Sequence, residues 1–457
     1  MLTTTTTGGL LLGRLFGTDG IRGVANRDLT PEMAFKIGRI TAWLLGRNST
    51  KPTFLIGRDT RLSGMMLEGS LMAGLASAGA EVRLLGVVST PTVAYLARHM
   101  QASAGIVISA SHNPIEDNGL KIFNGSGYKL PDALEEEIEN MFFGSGDEIP
   151  RPEGDQLGRA FYDSKALSDY IAHLSGSSAS LKGLKLVIDC AHGAACTVAG
   201  ELLSTLGAKV HSLHDMPDGS LINVKCGATD TADLQAEVLK QGAVLGLAFD
   251  GDADRLIAVD EKGRIIDGDH IMAICAVDFK EKGRLSKNTL VATVMSNGGL
   301  DILAEAKGFH VMRTAVGDRY VLEKMLQGGF NLGGEQSGHI IFSDYATTGD
   351  GLLTALQLLK VVQDKERPVS ELASEMERLP QVLVNQKVKT KDGWAEKQRI
   401  IEAIKSIEQE LGRHGRILVR PSGTEPKIRV MLEAPLPEDK LYEYANNLAE
   451  IIAEEQS

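Results

Sequence analysis

The sequence predicts a multidomain α/β protein: three α/β domains built on one pattern, followed by a smaller C-terminal α+β domain. Three observations predict it. A chain of 457 residues exceeds what one ordinary hydrophobic core accommodates. Short apolar runs end in polar, Gly-rich loops and are separated by helical stretches. The order strand, helix, later strand, polar loop, strand then recurs three times. The opening strands are TFLIGRDTR from Thr53, KLVIDCAHG from Lys185 and TLVATVMSNGG from Thr289. The later loops follow in GIVISASHNPIEDNGLKIF from Gly105, LGLAFDGDADRLIAVDEKG from Leu245 and NLGGEQSGHIIFSDYATTGDG from Asn331. The three units share negligible sequence identity, so the repeat is one of structure, and simple α/β alternation is the competing reading.

The last segment has another pattern. QVLVNQKVKT reads as a strand, and WAEKQRIIEAIKSIEQEL as an amphipathic helix with Ile400, Ile404 and Ile407 on its apolar face. GRILVRPSGTEPKIRVMLEAP reads as two strands around a turn, and EDKLYEYANNLAEIIAEE as a closing helix. Charged, Pro-containing stretches near 146–156 and 363–380 are candidate linkers. The expected domains are 1–163, 164–266, 267–379 and 380–457.

Composition narrows the partners. The net charge is −12, which disfavours global attraction to nucleic acid or anionic lipid. An anionic substrate therefore needs local arginines. Cys190, Cys196, Cys226 and Cys275 form no CxxC pair and no zinc-finger spacing, so they read as reduced, packed thiols. No apolar run reaches the roughly 18 residues of a membrane span. The start, MLTTTTTGGLLLGRLFG, lacks a basic n-region and a cleavage site. It reads as a loose extension leading into Phe16, and a cytoplasmic location follows by default.

Four loops can carry chemistry. DGDADR places Asp250, Asp252 and Asp254 at a strand's C-terminal end, where ligands of open α/β sheets bind. Alternating carboxylates repel unless a cation joins them, and oxygen-only ligands favour Mg²⁺ over Ca²⁺. An EF-hand is rejected: Glu261 falls twelfth from Asp250, but Arg255 holds the sixth position, which needs Gly. A solvated acidic turn is the bland reading, and the close apolar flanks oppose it. RPSGTEPKIR offers Ser422, Gly423 and Thr424 as an anion nest between Arg420 and Arg429, which can clamp a phosphate. Alone, it reads equally as a polar hairpin with two solvated arginines. GEQSGH presents Glu335, Ser337 and His339, groups suited to sugar hydroxyls; His339 is also a candidate acid or base. A β-turn whose histidine stacks on a neighbouring loop fits as well.

The fourth loop is ISASHNPIEDNG. Ser109 belongs to the buried strand run, while Ser111 lies beyond it, before His112. A hydrolase nucleophile prefers Gly-x-Ser-x-Gly; Ala110 and His112 flank Ser111 instead, so a triad of Ser111, His339 and an aspartate has little support. Lys121 can return toward Ser111 on the next strand. A phosphate on Ser111 adds about −2. With three aspartates and one Mg²⁺ a net of about −3 remains, which calls for Arg22, Lys121 and Arg255 nearby. That charge repels a second phosphate, and the Arg420–Arg429 loop is a separate place for one.

These four loops, in this order, resemble the α-D-phosphohexomutase family over nearly the whole chain, from about Leu15 to the last helix. FGTDGIRGVAN, NPIEDNG and AVGDRYV are similar to its glucosamine-phosphate branch. The resemblance implies mixed sheets in three related α/β domains, a smaller fourth domain and a central cleft. It implies phosphoserine at Ser111, whose phosphate completes a site for one Mg²⁺ per subunit with Asp250, Asp252 and Asp254. The implied reaction interconverts glucosamine 6-phosphate and glucosamine 1-phosphate through a sugar 1,6-bisphosphate, which is intermediate or activator, toward UDP-N-acetylglucosamine. Lys121 or His339 would be acid or base, with His112 supporting the serine loop and Arg22 and Arg255 balancing charge. Glu335, Ser337 and His339 would hold the sugar, and Arg420, Ser422, Gly423, Thr424 and Arg429 the phosphate that is not transferred. The expected partner is a phosphosugar, with no nucleic acid or membrane; a homodimer is the assembly to test for. Ala253 stands where many relatives have Gly. The alternatives are glucose or mannose phosphates as substrate, a metal-dependent phosphatase, and a sugar-phosphate-binding protein without chemistry.

Overall fold

The computed structural model describes residues 14–17, 19–47, 49–422 and 426–456. The Thr-rich start, and Gly423 and Thr424 of the expected anion loop, lie outside them. The chain forms two compact units, one containing 296–311 and 375–456, the other reaching to Met295 and resuming at 312–374.

Most of the repeated pattern lies in the larger unit. Its first sheet holds β1 (Ile21–Val24), β2 (Thr53–Arg58), β3 (Glu81–Val87), β4 (Ala104–Ile108), β5 (Asp117–Asn124) and β6 (Ala160–Tyr162), in the order β1-β5-β4-β2-β3-β6. The second holds β7 (Lys185–Asp189), β8 (Lys209–Leu213), β9 (Leu245–Phe249), β10 (Leu256–Asp260) and β11 (Ile265–Ile266), in the order β11-β10-β9-β7-β8. The third holds β12 (Thr289–Thr293), β13 (His310–Thr314), β14 (Leu332–Gly334) and β15 (Ile340–Phe342), in the order β13-β12-β14-β15. The runs β5-β4-β2-β3, β10-β9-β7-β8 and β15-β14-β12-β13 are therefore the same arrangement repeated. In each, the third strand runs parallel to the opening one and the fourth returns antiparallel to the third. The sheets are mixed, and the repeat that sequence identity conceals is explicit in their topology.

Burial explains the strands. Along β2, Phe54 and Ile56 join one apolar cluster while Leu55 joins another. Period-two alternation thus feeds both faces, as expected of a parallel sheet covered on both sides. β4 repeats this, with Ile106 and Ile108 on one face and Val107 on the other. The strand ends at Ile108, so Ser109 stands just past it, one residue earlier than the apolar run suggested. The stretch near 363–380 is more ordered than a linker: the helix Gly351–Lys365 runs into it, and the short helix Val369–Ala373 buries Val369, Leu372 and Ala373.

In the smaller unit, β16 (Gln381–Lys387), β17 (Arg416–Pro421) and β18 (Lys427–Glu433) form an antiparallel sheet in the order β16-β18-β17, with the helices Gln398–Leu411 and Glu438–Glu455. Ile400 and Ile407 are buried with Leu441, Leu448 and Ile452 in its core. The same unit holds the helix Gly299–Lys307. Buried Glu433 ties that segment in, accepting from Asn297 Nδ2 at 2.9 Å, Gly298 N at 2.7 Å and Arg416 Nε at 2.7 Å.

Candidate active site

The serine loop follows β4 and the aspartate loop follows β9, both at C-terminal strand ends. Ser111 is buried and sits at φ 55°, in the left-handed region. Its Oγ donates to Asp250 Oδ2 at 2.6 Å and lies 3.3 Å from His112 Nδ1. The two loops touch closely: a Cβ on Gly251 would stand 2.5 Å from the Ser111 carbonyl oxygen, so glycine is required there. Ala253 adopts φ 54°, a conformation that glycine takes at no steric cost.

What holds Ser111 in this conformation is a buried arginine that sequence reasoning missed. Arg61 Nε donates to Asp59 Oδ2 at 3.0 Å. Its Nη2 donates to the carbonyls of Ser111 at 3.0 Å and Asn113 at 2.8 Å, and its Nη1 to those of Asp117 at 2.9 Å and Pro114. All five guanidinium N–H groups are thereby used, four of them on the serine loop. Asp59 Oδ2 also accepts from Ser109 Oγ at 2.6 Å, and Ser109 Oγ accepts from Ser111 N at 2.9 Å. Asn223 Nδ2 adds a bond to the Ser111 carbonyl at 2.9 Å. The available signal was GRDTR itself, a charged pair immediately after a buried strand.

One carboxylate oxygen from each of Asp250, Asp252 and Asp254 lies within 4.8 Å of the others, and all three residues are buried. Asp252 Oδ2 accepts from Lys121 Nζ at 2.9 Å and Thr90 Oγ1 at 2.5 Å, and Asp254 Oδ2 from Lys121 at 3.2 Å. Their Oδ1 atoms are buried without a hydrogen-bond partner. Burial, then Asp254 and Asp252, push Asp250 well above the ordinary carboxylate range. Burial acts in the same sense on Asp254, but Lys121 and His339 outweigh it and hold that carboxyl well below the usual range. Unpaired, mutually repelling buried oxygens fit a hard divalent cation such as Mg²⁺.

Around them runs a chain of alternating charge. Burial disfavours the Lys121 ammonium, but Asp19, Asp252 and Asp254 hold its pKa well above the usual value. Asp19 pairs with Lys121 at 3.3 Å and contacts Arg22 and Lys129; Lys129 pairs with Asp318 at 2.5 Å. Arg22 Nη1 reaches Asn113 Oδ1 at 3.3 Å. Arg255 Nε stands 4.0 Å from Asp250 and 3.9 Å from Asp254. Burial, with Arg255 and Arg22 close by, pushes His112 down to about 4. His339 is buried between Asp254 and Asp318, 3.6 Å from each. Burial lowers its proton affinity, but these two carboxylates raise it overall. Its Nε2 accepts from Gly349 N–H at 3.1 Å, so the neutral ring carries its proton on Nδ1, facing Asp254. This makes His339 a residue that orients Asp254.

A cavity of about 390 Å³ opens on this assembly, lined by Arg22, His112, Asp254, Arg255, Glu335, Ser337 and His339, together with Val316, Gly317 and Asp318 of AVGDRYV. Glu335 is fixed by the Gly317 N–H at 3.0 Å. The sequence candidates Ser111, His112, Lys121, Arg22, Arg255, Glu335, Ser337, His339 and the three aspartates thus all fall within the larger unit, at or beside this cavity.

The anion-loop candidates belong to the smaller unit. Arg420 and Arg429 are direct cross-strand partners on β17 and β18. Ser422 is buried, its N–H donating to the Lys427 carbonyl at 2.8 Å. Its carbonyl accepts from Lys391 Nζ at 2.7 Å, a third cation at this turn that the sequence did not single out.

An α/β scaffold that sets a buried serine hydroxyl 2.6 Å from one of three clustered carboxylates defines the class: an enzyme suited to moving a phosphoryl group. Comparison with known proteins agrees. Models of phosphoglucomutase/phosphomannomutase alpha/beta/alpha domains I, II and III match residues 13–148, 168–263 and 267–379, and that of the C-terminal domain matches 383–451. A phosphoglucosamine mutase of Desulforudis audaxviator is 54% identical over 424 residues, covering 93% of this chain and 94% of its own. One of Geobacillus thermodenitrificans is 52% identical over 445 residues, covering 97% and 99%. The fold is similar to a phosphoglucomutase/phosphomannomutase family protein from Burkholderia thailandensis, with TM-score 0.79 at 24% identity over 97% of this chain and 98% of that one. The chain therefore belongs to the phosphoglucomutase/phosphomannomutase family, on its phosphoglucosamine mutase branch, and is an enzyme of the isomerase class.

Among the described residues, no helix is long and apolar enough to cross a membrane.

Proposed function

We propose that this enzyme interconverts glucosamine 6-phosphate and glucosamine 1-phosphate, with Ser111 as the carrier of the phosphoryl group. The observation that carries the reading is the 2.6 Å approach of the Ser111 hydroxyl to Asp250 within the aspartate triad. Asp250, Asp252 and Asp254 would hold Mg²⁺, which when bound neutralises charge on the phosphoryl oxygens.

The phosphoryl group on Ser111 passes to the free hydroxyl of the bound sugar phosphate. The bond from phosphorus to Ser111 Oγ breaks, the bond to the sugar oxygen forms, the hydroxyl gives up its proton and Oγ regains one. The product is a 1,6-bisphosphate. It turns round and returns its other phosphoryl group to Ser111. Lys121 and His112, the latter 3.3 Å from Oγ, are proposed as the groups that exchange these protons. Arg255 and Arg22 offset charge on the group in transfer. Glu335 and Ser337, which line the cavity, are proposed to hydrogen-bond the sugar, and the Glu335 carboxylate suits an amino group. Arg420, Ser422, Gly423, Thr424 and Arg429 are proposed as an anion site for the phosphate that is not transferred.

The test is a mutase assay on glucosamine 6-phosphate with wild type and Ser111→Ala, alongside intact mass. The expected result is a phosphorylated wild type and a variant without turnover; unchanged turnover in the variant would overturn the serine mechanism. Glucose and mannose phosphates assayed in parallel decide the substrate, and a higher kcat/KM on either would displace glucosamine.

A further inference from the structure

Apart from the aspartate triad, one other set of metal-ligating atoms converges among the described residues. Asp189 ends β7, His214 follows β8, and Cys226 lies on the loop beyond. A carboxylate oxygen, an imidazole nitrogen and the thiol sulfur of these residues lie within 4.8 Å of one another. The carboxylate is preset: Asp189 Oδ1 accepts from Ala191 N and Oδ2 from Gly227 N, each at 2.9 Å. His214 Nδ1 is 3.1 Å from Asp189 Oδ2, yet it is buried and makes no well-formed hydrogen bond. Its other nitrogen, Nε2, is 3.4 Å from the Asp233 carboxylate. A carboxylate on the outer nitrogen is the usual support of a metal-binding histidine. Cys226 is buried, and its thiol reaches the Leu221 carbonyl only at 3.9 Å, a long contact.

We propose that Asp189, His214 Nδ1 and Cys226 Sγ bind one borderline-soft divalent cation of the Zn²⁺ class, with a fourth position open to water. Thiolate and imidazole select such an ion over Mg²⁺, which suits the oxygen-only triad. Bonds of roughly 2.0–2.3 Å place tetrahedral ligand atoms roughly 3.3–3.8 Å apart, so the site closes on the ion with an adjustment of about 1 Å. On binding, the thiol and the histidine Nδ1 each give up any proton they carry to solvent. The ion would tie the Cys226 loop to the ends of β7 and β8. That loop also carries Asn223, which donates to the Ser111 carbonyl at 2.9 Å, so the site acts as a brace for the serine loop.

Co²⁺ is the probe, because its bond to a thiolate gives an intense near-ultraviolet charge-transfer band that carboxylates cannot. The reduced full-length protein, in excess Mg²⁺ to occupy the triad, is titrated with Co²⁺. One equivalent is expected to develop the band, and Zn²⁺ to abolish it. Cys226→Ser should lose the band. Cys196→Ser should keep it, since that sulfur lies against the His214 carbonyl at 3.5 Å instead. If Cys226→Ser does not fold, His214→Gln, at a partly exposed ring, decides: Co²⁺ affinity should fall at least ~10-fold. No band in wild type, a band retained in Cys226→Ser, or unchanged affinity in His214→Gln overturns the proposal.

Discussion

Arg420 and Arg429 stand directly opposite one another on β17 and β18, an arrangement that places two like charges on adjacent strands. Such a pair costs up to about 1 kcal/mol unless an anion joins it, and Arg429 Nε is buried without a partner. Arg420→Met should therefore leave the free protein as stable as wild type or slightly more so. The same change should raise KM for sugar phosphate by ~10–100-fold, the loss of one or two charge-assisted hydrogen bonds. Urea denaturation and initial-rate kinetics on the one variant check both. A variant with unchanged KM removes Arg420 from the anion site.

The triad makes a second prediction, about cation removal. Three buried carboxylates repel in the absence of a cation, and Asp250 is pushed well above the ordinary carboxylate range by burial and then by Asp254 and Asp252. Asp250→Asn should raise Tm in EDTA, because it removes one of three like charges while keeping an acceptor for Arg255 N. Wild type should gain stability with Mg²⁺, ~2.7 kcal/mol at a hundredfold excess over Kd, and the variant should gain almost none. Thermal melts with EDTA and with Mg²⁺ read both effects. A full Mg²⁺ response in the variant would place the cation elsewhere.

How much of this was legible in the sequence depended on range. The loops carrying Ser111 and Asp250–Asp254 were readable because each is a short motif after an apolar strand, and local chemistry marks it. The order shared by the three sheets was only partly readable, since pattern predicts alternation but not pairing. The role of Arg61 was not legible from GRDTR alone: its partners Asp59, Ser111, Asn113, Pro114 and Asp117 are brought together by the fold, not by spacing. The same holds for Asp189, His214 and Cys226, whose separation matches no metal motif. His339 looked like a free acid or base from sequence, and only the Gly349 N–H on its Nε2 shows one of its nitrogens already engaged.

Arg61 yields a third prediction. Arg61→Lys keeps a cation for Asp59 but supplies three donors instead of five, in no planar fork. At least two of the charge-assisted hydrogen bonds to the carbonyls of Ser111, Asn113, Pro114 and Asp117 would then be lost, at ~1–3 kcal/mol each. Stability should fall by ~2–5 kcal/mol. kcat should fall by ~100-fold, because misplacing a reacting group by about 1 Å has that effect, while KM changes little. Denaturant melts and steady-state kinetics test it. A stability loss with unchanged kcat would make Arg61 a packing residue without influence on Ser111.

The last prediction concerns pH and uses a carboxyl that is not one of the triad. Asp350 caps the helix Gly351–Lys365, accepting from Leu353 N at 2.9 Å, and its other oxygen accepts from the buried Tyr170 hydroxyl at 2.7 Å. Burial outweighs these bonds and raises its pKa from 3.8 to about 6. A folded-state pKa above the unfolded one means that the folded protein binds the proton more tightly. The stability this contributes is fully present below pH ~4 and is lost as pH rises through about 6. Asn keeps the cap and, through its amide N–H, a bond to the Tyr170 oxygen, but it never ionises. Asp350→Asn should therefore match wild type below pH ~4 and exceed it by roughly 1–3 kcal/mol above pH ~7, the advantage growing between these values. Urea denaturation of both proteins across that range measures the difference. An advantage that shrinks as pH rises would show that Tyr170 and the helix N-terminus stabilise the carboxylate more than burial penalises it.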